Sequence, residues 1–425
     1  MKIHFIGIGG IGVSALAQYY LSKGRKVSGS DLASSEITDF LKDKGAEVFI
    51  GPHSGKNLSD SDLVVYSLAV KHDNPEFRKA QESGIKIQSY PQALGDLTKE
   101  YFTIAVSGTH GKSTTAAMIS LILTEAGLDP TVIIGTKLKE FGNTNFRLGR
   151  SKYLVIEADE WNASFLNYWP KIIVLTNIEE EHLDYYRDLN HILKTYKEYA
   201  GHLAEDGVLV ANQDDNNISK LHLEFKGYSL KQREVLEKIL QIPGEHNMYN
   251  ALASLAVARI LNISDKVSLK ALSQYKGIWR RFEVIKKGIN HKKITIVSDY
   301  AHHPTEVKAT LKAVREKFPD QKIWCVFQPH QYQRTFYLFN EFVKVFSSAP
   351  INNLIITDIY DVAGRETSRI KKEVSSKKLV QAIPNAVYLA KKDIADYLKK
   401  GLKDEDILII MGAGDIYGLI DEFST

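Results

Sequence analysis

The run Ala105-Val106-Ser107-Gly108-Thr109-His110-Gly111-Lys112-Ser113-Thr114-Thr115 holds the strongest chemical signal in the chain. A glycine-rich turn ending in Gly-Lys-Ser brings backbone amides, an ammonium and a hydroxyl to one point, the set needed to hold a polyphosphate. Lys112 is placed to reach the terminal phosphates, and the Ser113 hydroxyl to ligate Mg²⁺. Val106 stands where the first glycine of G-x-x-x-x-G-K-[ST] belongs, so a flexible surface turn is the competing explanation. The flanks speak against it. Phe102-Thr103-Ile104-Ala105-Val106 is an apolar run suited to a buried strand, and Ala116, Ile119, Ser120 and Leu123 keep helical spacing up to a Gly127 C-cap.

Two further strands should end in acids. Tyr153-Leu154-Val155-Ile156 leads into Glu157-Ala158-Asp159-Glu160, and the run 171–177 leads into Ile178-Glu179-Glu180-Glu181-His182-Leu183-Asp184. Ligands collect at the carboxyl ends of parallel strands, so these acids are candidate Mg²⁺ ligands, with His182 as an additional donor. Either stretch alone also reads as a solvated acidic loop. Nearer the start, Lys2-Ile3-His4-Phe5-Ile6 runs into Gly7-Ile8-Gly9-Gly10-Ile11-Gly12 and then a helix through Ala15, Leu16 and Tyr19. This is the strand–glycine turn–helix of a Rossmann-type site, and Asp31, ending the strand Val27-Ser28-Gly29-Ser30-Asp31, is placed to bond a ribose hydroxyl. Alone it would suggest NAD. A dehydrogenase needs only this loop and a simple ATPase only the other. Both together point to a nucleotide-linked substrate brought to a separate ATP.

The chain of 425 residues allows two to four domains, and 44% hydrophobic with 25% charged residues is ordinary for a globular protein. A net charge of +4, from 55 basic and 51 acidic residues, is too slight to imply nucleic acid. Ile3 to Ser22 carries no charge, but four glycines with His4, Ser14 and Gln18 speak against a membrane span. The single cysteine, Cys325, lies in the apolar run 323–327, which excludes an internal disulfide and favours a reducing cytoplasm. Repeated β-α units predict an α/β protein of three domains. These are a Rossmann-like domain at 1–97, a P-loop ATPase-type domain at 98–284 and a Rossmann-like domain at 285–425, with hinges near 97 and 285 where the pattern breaks. In the third, the strand 294–297 runs into Asp299-Tyr300-Ala301-His302-His303-Pro304-Thr305-Glu306. Strands at 323–327, 354–357 and 407–411 follow, the last closing on Gly412-Ala413-Gly414-Asp415.

In this order the motifs resemble the Mur ligases, the ATP-dependent amide-forming enzymes of peptidoglycan precursor synthesis. The two glycine loops, both acidic strand ends, Pro243-Gly244-Glu245-His246-Asn247 through Asn250-Ala251, Arg280-Arg281-Phe282-Glu283, 299–306, Phe327-Gln328-Pro329-His330 and 412–415 carry the likeness over nearly the whole chain. The resemblance is strongest to members that add L-alanine to the carboxylate of UDP-N-acetylmuramate through an acyl phosphate. It implies ATP and Mg²⁺ as cofactors, a cytoplasmic monomer or weak homodimer, and no nucleic-acid or membrane partner. By the same resemblance Gly108, Thr109, His110, Gly111, Lys112, Ser113 and Thr114 hold the ATP phosphates. Ser113, Glu157 and His182 hold Mg²⁺, Asn247 and Asn250 read adenine or else cap their helix, and Arg281 and Asp299 contact ATP. His302, His303 and Arg334 face the muramyl and alanine ends, and Gly9, Gly10, Ile11, Asp31 and Ser67 take the UDP moiety. Lys112, Glu157, His182, His302 and Arg334 are the implied catalytic set.

Three departures stand out. Gln331 replaces the first arginine of a Pro-His-Arg-x-x-Arg-Thr run, Trp161-Asn162 replaces a small residue and an acid, and 216–242 is short, as if a peripheral strand pair were missing. Lys197, near a lysine that several family members carbamylate, reads as an exposed helical lysine. The rival readings are a ligase for a recycled tripeptide, which a long or cationic third-domain pocket would favour over a cramped one, an NAD-dependent oxidoreductase, and an inactive ligase-fold regulator.

Overall fold

Apolar runs closed by glycine or polar turns form the strands of three sheets in the computed structural model, which describes residues 1–58, 60–183, 185–289, 291–362 and 368–423. Asp184, in the second acidic strand end, lies outside them. The first sheet has β1 (Lys2–Ile6), β2 (Lys26–Asp31), β3 (Glu47–Ile50), β4 (Leu63–Tyr66) and β5 (Lys86–Ser89), all parallel, in the order β3-β2-β1-β4-β5. The run once readable as a membrane span is thus β1, a glycine turn and the helix Ile11–Ser22. No helix among the described residues is long and apolar enough to cross a membrane.

The second sheet comprises β6 (Phe102–Ser107), β7 (Thr131–Leu138), β8 (Thr144–Arg147), β9 (Tyr153–Glu157), β10 (Ile172–Leu175), β11 (Val208–Asn212) and β12 (Lys226–Tyr228), in the order β12-β11-β10-β6-β9-β7-β8. The third has β13 (Glu283–Ile289), β14 (Lys292–Asp299), β15 (Ile323–Phe327), β16 (Asn353–Ile356), β17 (Ala386–Tyr388) and β18 (Ile407–Met411), in the order β13-β14-β18-β15-β16-β17. Its central strands are apolar on both faces because both are covered. Val297, Cys325 and Ile409 pack with Leu311, Phe342 and Phe346, while Ile296, Val326 and Ile410 pack with Ile394, Leu398 and Phe423. Cys325 is fully buried in that core, and burial pushes its thiol pKa up.

Two compact units result. One contains Met1–Glu179, Leu189–Leu236 and Tyr249–Ser273, with the first two sheets; the other contains Glu180–Asp188, Glu237–Met248 and Gln274–Thr425, with the third. The pattern break expected at 91–101 is instead the helix Tyr90–Glu100. Ser89 and Gln92 form a reciprocal capping box and Pro91 sits in the first turn, so a start signal stands where a linker was read. The boundary drawn at 97 therefore falls inside a helix, and that at 284 inside β13. Two antiparallel hairpins, β7–β8 and β13–β14, also escaped a reading tuned to parallel units. The stretch 216–242 forms the short helices Asn216–Ser219 and Glu234–Glu237, β12 and tight turns, with no strand pair of its own among the described residues. Lys197 is exposed on the helix Leu189–Ala200.

One buried charge ties the first sheet together. Glu76, fully buried, accepts from Ser30 Oγ at 2.5 Å, Asn57 Nδ2 at 2.7 Å and Ser54 N at 3.3 Å. It also faces His4 Nε2 at 3.3 Å and His53 Nδ1 at 3.4 Å. Burial alone would raise its pKa, but the hydrogen bonds from His4, Ser30 and Asn57 win and hold it at about 2, below the ordinary 4.5. A depressed folded-state pKa gives stability that is complete above the unfolded value and lost as pH falls through the folded one. Glu76→Ala should cost about 3 kcal/mol in urea denaturation at neutral pH. The gap to wild type should close on acidification from about pH 5 towards pH 2; a pH-independent gap would assign the loss to packing alone.

Candidate functional site

β6 runs between β9 and β10, so its glycine loop opens beside Glu157–Glu160 on one side and Thr176–Glu179 on the other. Gly108 has φ +125°, and a side chain there would overlap Thr176 Oγ1. Thr176 Oγ1 donates to His110 O at 2.6 Å. Asn177 Oδ1 accepts from His110 N at 2.9 Å, its Nδ2 donates to His110 O at 3.1 Å, and Glu179 N donates to Thr109 Oγ1 at 2.9 Å. The loop is thus held from behind by β10. In front, the helix Lys112–Glu125 starts at Gly111 with no side-chain cap, which leaves first-turn amides for an anion, beside half-buried Ser113 and buried Thr114.

Lys112 Nζ donates to Gly108 O at 2.7 Å, Thr109 O at 3.2 Å and Glu160 Oε2 at 2.8 Å, with Asp159 Oδ1 at 3.9 Å. Burial works against the ammonium, but Glu160 and Asp159 outweigh it and the pKa is raised. Lys112 is therefore charged. Glu157 Oε1 accepts from Gly135 N of β7 at 2.8 Å. Ser113 and Glu157, at the phosphate-loop helix and the end of β9, offer hard oxygen donors of the kind a magnesium ion takes. Buried Asn250 accepts from Thr115 Oγ1 at 3.1 Å and so packs on the phosphate-loop helix, whereas Asn247 Nδ2 donates to Pro243 O at 2.7 Å. Their i, i+3 spacing gives them no common partner in these bonds.

At the carboxyl ends of β1, β2 and β4, the first glycine loop is braced by Asp31, whose Oδ2 accepts from Gly9 N at 2.9 Å. Ser67 lies behind Gly7, and its Oγ accepts from Ala69 N at 3.3 Å. Gly10 precedes the helix Ile11–Ser22, which again lacks a side-chain cap. Asn145 of β8 donates to Ile11 O and, at 3.1 Å, to Ser14 Oγ, so the β7–β8 hairpin grips this helix.

In the second unit, Arg334 donates from Nε at 3.1 Å and Nη2 at 2.8 Å to Glu181 Oε1, both groups being buried. His303 Nε2 lies 3.9 Å from the same carboxylate. Burial would raise the Glu181 pKa, but Arg334 first and the neighbouring histidines next keep it well below the usual range. His302 is the reverse: burial dominates and lowers its pKa to about 3, so it is neutral. Its Nδ1 lies 3.0 Å from Tyr300 O, which fixes Nδ1 as the protonated nitrogen. Asp299 accepts from Phe282 N at 2.7 Å and Ala301 N at 2.8 Å, and burial raises its pKa. Arg281 Nη1 donates to Glu306 Oε1 at 3.3 Å. Gln331 is buried with φ +71°, its N–H on Tyr360 O at 3.0 Å and its carbonyl accepting from Thr335 at the start of Tyr332–Tyr337. Glu181, His182, Gln331 and Arg334 line a cleft of only about 20 Å³.

The geometry thus gathers Lys112, Glu157 and Asn250 in the first unit and His302, His303, Asp299, Arg281 and Arg334 in the second, where His182 also belongs. It adds four residues: Glu160, Thr176 and Asn177 on the phosphate loop, and Glu181 on Arg334. All lay inside the strand runs and acidic ends already singled out. Their types gave no hint that Glu160 and Glu181, rather than their neighbours, would take the cations.

The description "Mur ligase family, catalytic domain" matches residues 2–102, "Mur ligase middle domain" 106–236, and "Mur ligase, glutamate ligase domain" 280–414. The UDP-N-acetylmuramate–L-alanine ligase of Clostridium tetani is 42% identical over 452 residues, covering 99% of this chain and 97% of its own. That of Acetivibrio thermocellus is also 42% identical, over 454 residues covering 99% and 95%. Among solved structures, the UDP-N-acetylmuramate-alanine ligase of Thermotoga maritima superposes with a TM-score of 0.83 at 28% identity, covering 100% of this chain and 98% of that one. A murein peptide ligase of Psychrobacter arcticus shares the fold at a TM-score of 0.75 and 23% identity, covering 100% and 98%.

The Glu181–Arg334 pair is open to a double-mutant cycle. Glu181→Ala should cost about 3–5 kcal/mol because it strands a buried guanidinium. Glu181→Ala/Arg334→Ala should cost clearly less than the sum of the single changes, read by chemical denaturation. Strict additivity would mean the two charges do not interact.

Proposed function

The chain belongs to the Mur ligase family, and we propose that it is the ligase joining L-alanine to the carboxylate of UDP-N-acetylmuramate, with ATP converted to ADP and phosphate. The muramyl carboxylate attacks the γ-phosphate and becomes an acyl phosphate. The L-alanine amine then adds to the acyl carbon and phosphate leaves. A carboxylate is a poor acyl donor until phosphorylated, and bringing anions together calls for cations and aligned dipoles rather than a covalent catalyst. The observation that carries the reading is Lys112, a charged ammonium bedded on its own loop carbonyls at an uncapped helix start, in a chain matching L-alanine ligases over its whole length.

We assign the sugar nucleotide to the domain of the first sheet, ATP to that of the second and the amino acid to that of the third. Gly108 to Thr114 take the ATP phosphates, Asn247 and Asn250 the nucleoside side, and Arg281 and Asp299 the same nucleotide. Gly9, Gly10, Ile11, Asp31 and Ser67 take the UDP moiety. Ser113, Glu157 and His182 would hold Mg²⁺, which when bound neutralises phosphate charge. His302, neutral with Nδ1 protonated, leaves Nε2 as an acceptor towards the amine, and Arg334 with His303 orients the acceptor end. The substrates and the buried lone thiol support a cytoplasmic setting.

ADP release from the purified chain with ATP, Mg²⁺ and UDP-N-acetylmuramate should require L-alanine. Glycine and L-serine should be poor substitutes, and chelation of Mg²⁺ should stop release. Release with a tripeptide only would move the chain to the recycling branch, and silence with every acceptor would refute the reading. Lys112→Ala should lower kcat by about 10²–10³ while calorimetry finds UDP-N-acetylmuramate binding intact.

A further inference from the structure

Arg280 precedes the residue assigned to ATP and takes no part in the family-derived site. It is only 5% exposed, and among the described residues ring faces and carbonyls are the direct partners of its guanidinium, with the Asp299 carboxylate near enough to favour the charge. The guanidinium carbon lies 4.4 Å from the ring centre of Tyr417, 4.8 Å from that of Tyr300 and 5.4 Å from that of Trp279. Nη2 donates to Gly412 O and, at 3.0 Å, to Gly414 O, in the turn after β18. Nε has no hydrogen-bond partner among the described residues.

The backbone of the same residue is equally engaged. Its carbonyl accepts from Tyr300 N at 2.6 Å, and its N–H donates to Glu283 Oε2 at 3.2 Å. Both Arg280 and Phe282 have left-handed backbones, with φ +56° and φ +52°, a cost that the surrounding contacts must hold in place. One residue therefore joins three segments at the carboxyl ends of the third sheet: the entry to β13, the turn after β14 and the turn after β18.

Two residues assigned to ATP hang on this junction. Arg281 follows directly and lies 4.9 Å from the Tyr300 ring, the ring that Arg280 covers. Asp299 precedes Tyr300 and accepts from Phe282 N, so its carboxylate is fixed on the strained stretch. We propose that Arg280 is a positioning residue for ATP, a flat cation that locks the turns after β14 and β18 together and so sets Arg281 and Asp299. A guanidinium suits the task because it stacks on rings while donating in its plane; an ammonium presents neither flat faces nor a fork.

The proposal rests on the ATP assignment of Arg281 and Asp299, and its test reads nucleotide affinity separately from turnover. Arg280→Lys and Arg280→Met are compared with wild type by calorimetry for ATP and for UDP-N-acetylmuramate, by steady-state kinetics and by thermal melting. Both variants should bind ATP about tenfold more weakly or worse, with KM for ATP raised and Met more affected than Lys. UDP-N-acetylmuramate affinity should stay within about twofold. Unchanged ATP affinity in a folded variant overturns the proposal, as does equal weakening of both ligands, which marks a merely structural role. If the Met variant does not fold, the Lys variant decides alone. If wild type binds ATP but shows no alanine-dependent ADP release, the reaction assignment fails while the calorimetric comparison still judges Arg280.

Discussion

An ammonium that must remain charged while largely withdrawn from water is the constraint on which the first unit depends. Lys112 meets it by folding onto the carbonyls of Gly108 and Thr109 and pairing with Glu160. Each partner demands a particular placement. The carbonyls are available because Gly108 turns where no side chain fits, against Thr176. Glu160 arrives because β9 is the immediate neighbour of β6. The helix start stays uncapped, so its dipole and amides keep their anion-binding power. Lys112 has its three N–H groups engaged, so it meets a phosphate by giving up one of these bonds, whereas the uncapped helix start offers its amides as they stand.

Three cations show three ways of keeping positive charge out of solvent. Lys112 divides its bonds between carbonyls and a carboxylate. Arg334 gives two N–H groups to a single buried carboxylate, Glu181. Arg280 is bounded by aromatic faces and two carbonyls. These choices differ in consequence. An ion pair fixes orientation through one partner, while ring faces and carbonyls spread the hold on the group over several segments.

Backbone strain accompanies these groups. Non-glycine residues with positive φ include Asn162 and Ala163 after the first acidic strand end, His182 in the second, Arg280 and Phe282 at the entry to β13, and Gln331 beside Arg334. Such conformations persist only where surrounding contacts over-determine them; these six lie in or beside turns that carry the charged side chains, while others, such as Asn143, His222, Asn262 and Asn385, sit in turns elsewhere. The Trp161-Asn162 departure falls on one of these turns and Gln331 on another. At Gln331 the backbone caps the helix that carries Arg334, a task the side-chain type does not disclose.

Much of this was readable from residue order. The phosphate loop, both acidic runs, the first glycine loop and the central strands announce themselves because apolar periodicity and glycine placement are local properties. The helix Tyr90–Glu100 was missed although its capping box is written in Ser89 and Gln92, since Pro91 reads first as a break. In the β7–β8 hairpin the edge strand Thr144–Arg147 carries too few residues to show a period, while β13 does alternate over its seven residues but is so rich in charge that it does not read as an apolar run. Residue order carries the inventory of chemistry and the strand after which each piece falls. Which of several neighbouring carboxylates meets Lys112 or Arg334, that Asn250 faces Thr115, and that Arg280 lies among Trp279, Tyr300 and Tyr417 were decided only by tertiary structure. Those pairings depend on sheet order and turn geometry across separations of up to 153 residues, which no local pattern encodes.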